Sequence, residues 1–494
     1  MITKNQGNNR LQQQIICIED LMPKNHILCD IERAINFDFI YDLVSDLYCE
    51  NNGRPGIDPV VLFKIVFIQY IFGIRSMRQT IREIQVNVAY RWFLGFGLMD
   101  KIPSHTTFGK NYARRFADSD VFEKIFERIL LEAVTAGFVD ASAVFIDATH
   151  IKASANKKKA INETVKIEAK HYHDELMREV NKDRANHGKK PLKDKNDDDE
   201  NGGNYETKNV AKSTTDPDCG MFHKGEHKKE FAYTTHVACD KNNYILDCDV
   251  SAGNVHDSVM FDDLYGDLIE KFPEIEAVGI DSGYKTPWIM KQVFDSGRIA
   301  ATPYKRPMTK DGFFKKYEYV YDEFYDCVIC PENQVLKYST TNRDGYKEFK
   351  SNPEICKNCS SRHKCTESKN CQKTVTMHVW HEYMELAEDV RHSDKGKEIY
   401  AKRKETIERV FADAKEKHAM RYTHLRGLAR LKMQTLLTFA CMNLKKLAKW
   451  KRIKGGLSQI LRFFENLSCW GNMMRGIGES RYPFVDRLKP PEGG

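Results

Sequence analysis

Two apolar runs in this chain each end on an aspartate, and that pairing constrains the fold more than any other feature. Ala143-Val144-Phe145-Ile146 leads into Asp147 within Ile-Asp-Ala-Thr-His, and Ala277-Val278-Gly279-Ile280 leads into Asp281 within Ile-Asp-Ser-Gly-Tyr. Short runs of this kind predict buried strands, with each aspartate at a strand tip. A carboxylate there either caps the following turn or serves a site. Before these runs the period is helical, over about residues 31–116. Asp58-Pro59 offers an N-cap with proline at the first helical position, and Ser76 opens a second helix. Pro103–Phe108 caps a third, which carries Lys110, Arg114 and Arg115. Short helices ending in a basic one suit a helix-turn-helix-like DNA module or a small packing domain. Extended runs then appear at 144–146, 231–238, 244–250, 278–280 and 299–302, with helical patterns at 257–271 and 287–294. That alternation predicts a mixed α/β sheet flanked by helices.

Charge is unevenly spread. The 494 residues hold 77 Lys+Arg against 70 Asp+Glu, a net +7, yet Lys395 to Lys454 alone holds 18 basic against 5 acidic residues. Clustered cations mark a polyanion surface, nucleic acid first, with a solvated lysine-rich helix face as the plainer alternative. The first residues show no apolar signal-like segment, and the most apolar stretch, 60–74, is broken by Lys64 and Gln69 and is short for a bilayer. With fourteen cysteines, this composition leads us to expect a reducing cytoplasm and free thiols.

A third acid lies far downstream, Glu408 in the basic stretch Tyr400–Lys415. Two strand-end aspartates and a helical glutamate are hard oxygen donors suited to two divalent ions and phosphodiester chemistry. Glu408 and Lys415 are seven residues apart, within about 20° on one helix face. A simple surface ion pair would favour a spacing of three or four. Asp247, Asp249 and Asp257 compete as ligands, and Asp257 reads as a helix N-cap in preference to an extra ligand. His150 either approaches nucleic acid or packs in the sheet.

The pattern tyrosine, two residues, arginine, three residues, glutamate, six residues, lysine resembles that of insertion-sequence transposases of the DDE class, which have a ribonuclease H-like catalytic core. Tyr400, Arg403, Glu408 and Lys415 correspond, although four residues separate Arg403 from Glu408, which leaves Lys404 as the alternative cation. The resemblance includes Asp147-Ala-Thr-His-Ile-Lys-Ala, Ser213-Thr-Thr-Asp-Pro-Asp, Asp281-Ser-Gly-Tyr and Arg54-Pro-Gly-Ile-Asp-Pro, spanning about 53–451. It implies a DNA transposase in which Asp147, Asp281 and Glu408 hold two Mg²⁺ (or Mn²⁺) ions. Activated water would cleave at the transposon ends, and the freed 3′-hydroxyl would attack target DNA. Lys415, Tyr400 and Arg403 or Lys404 would contact the strand, with Arg409, His150, Arg114 and Arg115 as further DNA contacts. The implied partners are terminal inverted repeats, target DNA and a second protomer, with the protein on the bacterial nucleoid. The rivals are a nuclease without joining activity, an inactive DNA-binding regulator of transposase descent, and a zinc-dependent RNA-binding protein.

Six cysteines fall between Cys327 and Cys371. Cys-x-x-Cys spacing predicts a zinc-ribbon-like insertion that lacks a core of its own. Cys330, Cys356, Cys359 and Cys365 are the preferred ligands; Cys327, Cys371 and His363 compete, and an iron–sulfur cluster stays open. The expected layout is an all-helical DNA-binding domain (1–125) and a first core part (126–316) with a flexible charged insertion (156–216). The cysteine-rich insertion (317–374), the last core helices with Glu408 (375–456) and a tail (457–494) follow.

Overall fold

The computed structural model describes residues 13, 15–49, 56–166, 172–192, 207–224, 228–306 and 309–473. The charged run 196–203, the Arg54-Pro55 pair and the end of the tail lie outside them.

The chain begins with helices α1 (Ile27–Ala34), α2 (Phe39–Val44), α3 (Pro59–Ile71), α4 (Met77–Val86), α5 (Val88–Leu94), α6 (Thr106–Asn111) and α7 (Val121–Thr135). Their starts follow the capping residues. Asp58 accepts from the amides of Val60 and Val61 at 2.7 and 3.3 Å with Pro59 in the first turn, and Ser76 accepts from Gln79 at 3.2 Å. Each such cap is worth about 1 kcal/mol. Helix α3 is apolar on nearly every side and lies buried from Leu62 to Ile68, as an all-round apolar helix must.

The main sheet contains β1 (Ala143–Lys152), β4 (Gly220–Lys224), β5 (Lys228–Cys239), β6 (Ile245–Ala252), β7 (Ala277–Ile280) and β8 (Ile299–Ala301). A separate ribbon pairs β2 (Ala160–Lys166) with β3 (Thr207–Ser213). The main order is β4-β5-β1-β7-β8, with β6 beside the other half of β5. β5 is antiparallel to β1, β4 and β6, whereas β7 and β8 continue parallel to β1. Helices α8 (His173–Asn186), α9 (Phe261–Lys271) and α10 (Pro287–Asp295) punctuate these strands. The expected strands and helices are therefore present. One expectation needs correcting: Asp147 is not at a strand tip. β1 pairs with β5 from Phe145 to Lys152 but with β7 only from Ala143 to Ile146. Asp147 stands where the parallel neighbour ends and the antiparallel one carries on.

A second sheet, β13-β12-β11-β10-β9, holds the cysteine-rich segment: β9 (Val320–Asp322), β10 (Cys327–Ile329), β11 (Val335–Thr341), β12 (Tyr346–Lys350) and β13 (Thr374–His378). The short helices α11 (Pro353–Lys357) and α12 (Arg362–Cys365) lie between its last two strands. This unit buries Val328, Leu336, Phe349, Val375 and Met377 around Tyr319. The charged 156–216 segment is structured where described. Leu176 and Val180 of α8, one turn apart, pack with Trp380, while Arg184 donates to Thr340 and to the Thr341 carbonyl at 2.8 and 2.9 Å.

The chain closes with α13 (His381–His392), α14 (Asp394–Lys402), α15 (Ile407–Lys417) and α16 (Leu428–Met473). The buried residues Leu431, Leu437, Phe439, Leu444 and Leu447 of α16 belong to one continuous core with α1, α3, α7 and the main sheet. The leading helices thus share their interior with the sheet, and α7 crosses the expected boundary at 125. Helix α16 likewise runs through position 457, where Leu457, Ile460, Leu461 and Phe464 keep helical spacing in the sequence.

Helix α15 is pinned to α3 at its far end. The neutral imidazole of His418, whose pKa burial lowers to about 4, donates from Nδ1 to the Tyr70 carbonyl at 2.7 Å. Gly73 has φ +63°, and a Cβ there would stand 2.5 Å from the Lys417 carbonyl oxygen. Gly73→Ala is expected to destabilise the protein by about 1–3 kcal/mol through positive φ and overpacking together. The readout is the denaturation midpoint, with the slope of the transition unchanged; an unaltered midpoint would contradict this packing.

Candidate active site

Asp147 and Asp281 lie on neighbouring parallel strands, because β1 and β7 pair through Ile146 and Ile280 and each aspartate is the next residue. One cation joins them. Arg403 is 4 % exposed, and its guanidinium donates to Asp147 Oδ2 at 2.6 Å and reaches Asp281 Oδ1 at 3.5 Å. Its stem crosses β7 at Gly279, where a Cβ would come within 2.7 Å of Phe145 and 3.6 Å of the arginine Cγ. Glycine in this strand is therefore a clearance for the Phe145 ring of β1, with the arginine stem in ordinary contact beside it, a signal present in the sequence that strand patterning does not reveal.

The unusual spacing before Glu408 has a structural cause. Helix α14 ends at Lys402, and residues 403–406 form a turn before α15 begins at Ile407. The Glu408 amide bonds to the Arg403 carbonyl at 3.2 Å, five residues back, which absorbs the extra residue. Of the two alternative cations, Arg403 points into the aspartate pair, beside the Tyr400 hydroxyl at 3.4 Å, while Lys404 is exposed. Glu408, in the first turn of α15, is exposed and is not drawn up to the aspartates; among the described residues no group of three His, Cys, Asp or Glu side chains converges to hold a metal ion.

Burial pushes the Asp147 carboxyl up to about 6, against the pull of Arg403 and of the Ala148 amide (2.8 Å); Asp281 and Asp257 add to the rise. The Asp281 turn is held from behind. Buried Tyr284 donates its amide to the Asp281 carbonyl at 3.0 Å, and its hydroxyl lies 3.4 Å from Nδ1 of His236, which pairs with Ser251 at 2.9 Å. Burial keeps His236 neutral, with its pKa lowered to about 4. Asp257 differs from expectation: the cap of its turn is His256, which accepts from the Ser258 amide at 3.2 Å. Asp257 instead sits half-buried near the pair, its Oδ2 3.6 Å from the position of a Cβ on Gly283. Asp247 is tied to Lys271 at 3.1 Å.

The other expected contacts are dispersed. His150 packs on Phe222 and pairs with Thr234 at 3.0 Å. Arg115 lies over the Tyr48 ring at 4.4 Å, whereas Arg114 and Arg409 are exposed and Lys415 is half-buried on α15. The zinc expectation finds no support among the described residues, where no metal-holding group of three forms. Cys330, Cys356 and Cys365 neighbour one another, but Cys365 bonds to the Tyr319 hydroxyl at 3.2 Å and Cys330 accepts the Gln334 amide at 3.4 Å. Cys327 is buried in β10. This sheet has a hydrophobic core of its own, which corrects the expectation that the insertion lacks one.

The geometry defines a class of site: paired acids at neighbouring parallel strands, bridged by one guanidinium from the α14–α15 turn. A family model described as a transposase domain (DUF772) matches residues 16–114, and one described as a transposase DDE domain matches residues 329–448. These two matches support an insertion-sequence transposase of the DDE class, a nucleic-acid enzyme whose partner is DNA and whose class generally uses divalent metals such as Mg²⁺. The second match includes Glu408 and Lys415, while Asp147 and Asp281 lie between the two. No curated protein and no solved structure matches the chain. None of the described helices is long and apolar enough to cross a membrane.

The raised carboxyl of Asp147 sets a pH dependence. A divalent ion needs the carboxylate, so Mn²⁺ affinity is expected to level off above about pH 6 and to fall below it, by about tenfold per unit for one competing proton. Calorimetric titration between pH 5 and 8 checks this. An affinity flat across that range would mean that Asp147 takes no part.

Proposed function

We propose that the protein cleaves DNA at the ends of an insertion sequence and transfers the freed 3′-hydroxyl into target DNA, with Asp147, Asp281 and Glu408 as metal ligands. The observation that carries this reading is the shared guanidinium. Two carboxylates remote in sequence already converge on one positive charge between them, which is the electrostatic demand a divalent ion would meet. The mixed sheet with β1 central and its acids beside a parallel neighbour supports a ribonuclease H-like core.

Bound Mg²⁺ would supply a deprotonated attacking oxygen and neutralise charge on the phosphate and the leaving oxygen. The protein's own groups do the rest. Asp147, with its carboxyl raised to about 6, is largely ionised at neutral pH and available to the metal, and the Asp281 turn is held by Tyr284. Arg403, once released from the aspartates, has a planar fork suited to a phosphate. Lys415, two turns beyond Glu408, offers a second cation, and Tyr400, Lys404 and Arg409 extend this surface. Glu408 completes the ligand set by a shift of the α14–α15 turn, where the backbone hydrogen bonding is already irregular. We further propose that the active complex is a pair of protomers, one for each end.

The test is incubation with Mg²⁺ and labelled DNA carrying the inverted-repeat ends. Asp147→Asn is expected to lower cleavage by more than about 100-fold, in line with the several kcal/mol that metal ions contribute, while DNA binding persists. Undiminished cleavage by that variant would overturn the assignment. Cleavage without joined products would favour a nuclease, and binding without any cleavage by the unaltered protein a regulator.

A further inference from the structure

A cavity of about 890 Å³ opens between the leading helices and the segment that joins α15 to α16. Its wall on one side comes from the end of α3, the turn after it and α6; on the other it comes from Lys415 through the start of α16. Arg75, Lys415, Arg421 and Arg430 face it, against the single acid Glu416, which contacts Arg421. Two rings stand among these cations. Tyr422 is 39 % exposed and edge-on to His424 at 4.6 Å, and Tyr112 is half-buried with Arg430 as its charged neighbour. His418 is not among the cations, since it is buried, neutral and bonded to Tyr70.

The cavity is tied to the acid pair by backbone. At the end of β1 the Lys152 amide donates to the Arg421 carbonyl at 3.2 Å, and the Thr423 amide donates to the Lys152 carbonyl at 3.0 Å, so the loop bearing Tyr422 extends the strand of Asp147. Five residues of strand separate Asp147 from Lys152, about 16 Å. Seven residues of helix separate Glu408 from Lys415, about 10 Å. At the duplex rise of about 3.4 Å per nucleotide, this separation is at most about five nucleotides, and fewer for an extended unpaired strand. The recess has the volume of a small-ligand pocket, about 300–1,000 Å³, and is too small for a duplex whose major groove alone is about 12 Å wide. Cations for the backbone and rings for the base faces are the combination that holds unpaired strands.

We propose that this cavity binds unpaired nucleotides of the DNA strand, within about five positions of the phosphate at Asp147 and Asp281. The Tyr422 and Tyr112 rings stack on bases, while Arg75, Arg421 and Arg430 take the phosphates. This inference rests on reading the chain as a DNA transposase. It adds a strand-separated segment to the substrate.

Fluorescence anisotropy with labelled duplexes, blunt or bearing a five-nucleotide overhang, tests it on the full chain. The unaltered protein should bind the overhang duplex about tenfold more tightly than the blunt one. Tyr422→Ala and Arg430→Ala should each remove that advantage without changing blunt-duplex affinity, and Tyr422→Phe should keep it. Melting temperatures matching the unaltered protein exclude misfolding as the cause. No preference for the overhang, or a preference that survives both alanine substitutions, would overturn the proposal. So would displacement by thymidine monophosphate without any overhang preference, which would mark a free-nucleotide site. Failure to bind either duplex would instead count against the transposase reading.

Discussion

The bridge from Arg403 to Asp147 and Asp281 is the interaction on which the rest of this arrangement depends. Strand pairing sets two carboxylates side by side, and burial raises the cost of charging Asp147, as its elevated pKa records. An uncompensated buried charge is expensive, so a counter-ion must be present. Arg403 provides it from a helix more than a hundred residues away in sequence. Its stem passes Gly279 in ordinary contact, and its position needs α14 to stop at Lys402. The interrupted helix that brings in the guanidinium also sets Glu408 and Lys415 on the next helix.

That helix is held in place from outside the sheet. His418, Gly73 and the contact from Lys445 to the Ile71 carbonyl (3.1 Å) fasten the end of α15 and the face of α16 to α3. The leading helices therefore act as a buttress for the helix that carries Glu408, within one hydrophobic interior. Such a frame is what sub-ångström placement of acids requires, because sites borne on strands and helices are better located than those on loops. The cysteine-rich sheet stands apart, with its own interior, and is gripped by α8, whose Asp183 pairs with Lys347 at 2.7 Å.

Much of this was legible from residues alone. The caps at Asp58 and Ser76, the strand runs and both aspartates rest on local chemistry, in which hydrogen bonding and period act within a few residues. What was missed depends on distant partners. Nothing near Asp147 signals that β5 would carry β1 five residues past it, or that Gly279 makes room for the Phe145 ring. The role of Asp257 was misread because His256 could cap the same turn and did. The cysteine spacing spoke for an insertion without a core of its own, yet Val328, Leu336 and Phe349, one from each of three strands, build one. The helix break at 403–406 was visible only as an odd spacing, since Lys404-Glu405 are good helix formers locally.

The most direct test is a crystal structure with Mn²⁺ and end DNA, using anomalous scattering to locate the metal. The account predicts manganese between Asp147 and Asp281, with a Glu408 oxygen drawn in to about 2.2 Å and Arg403 displaced onto a phosphate. Arg403 still locked on both aspartates beside scissile DNA, with manganese bound elsewhere, would contradict it.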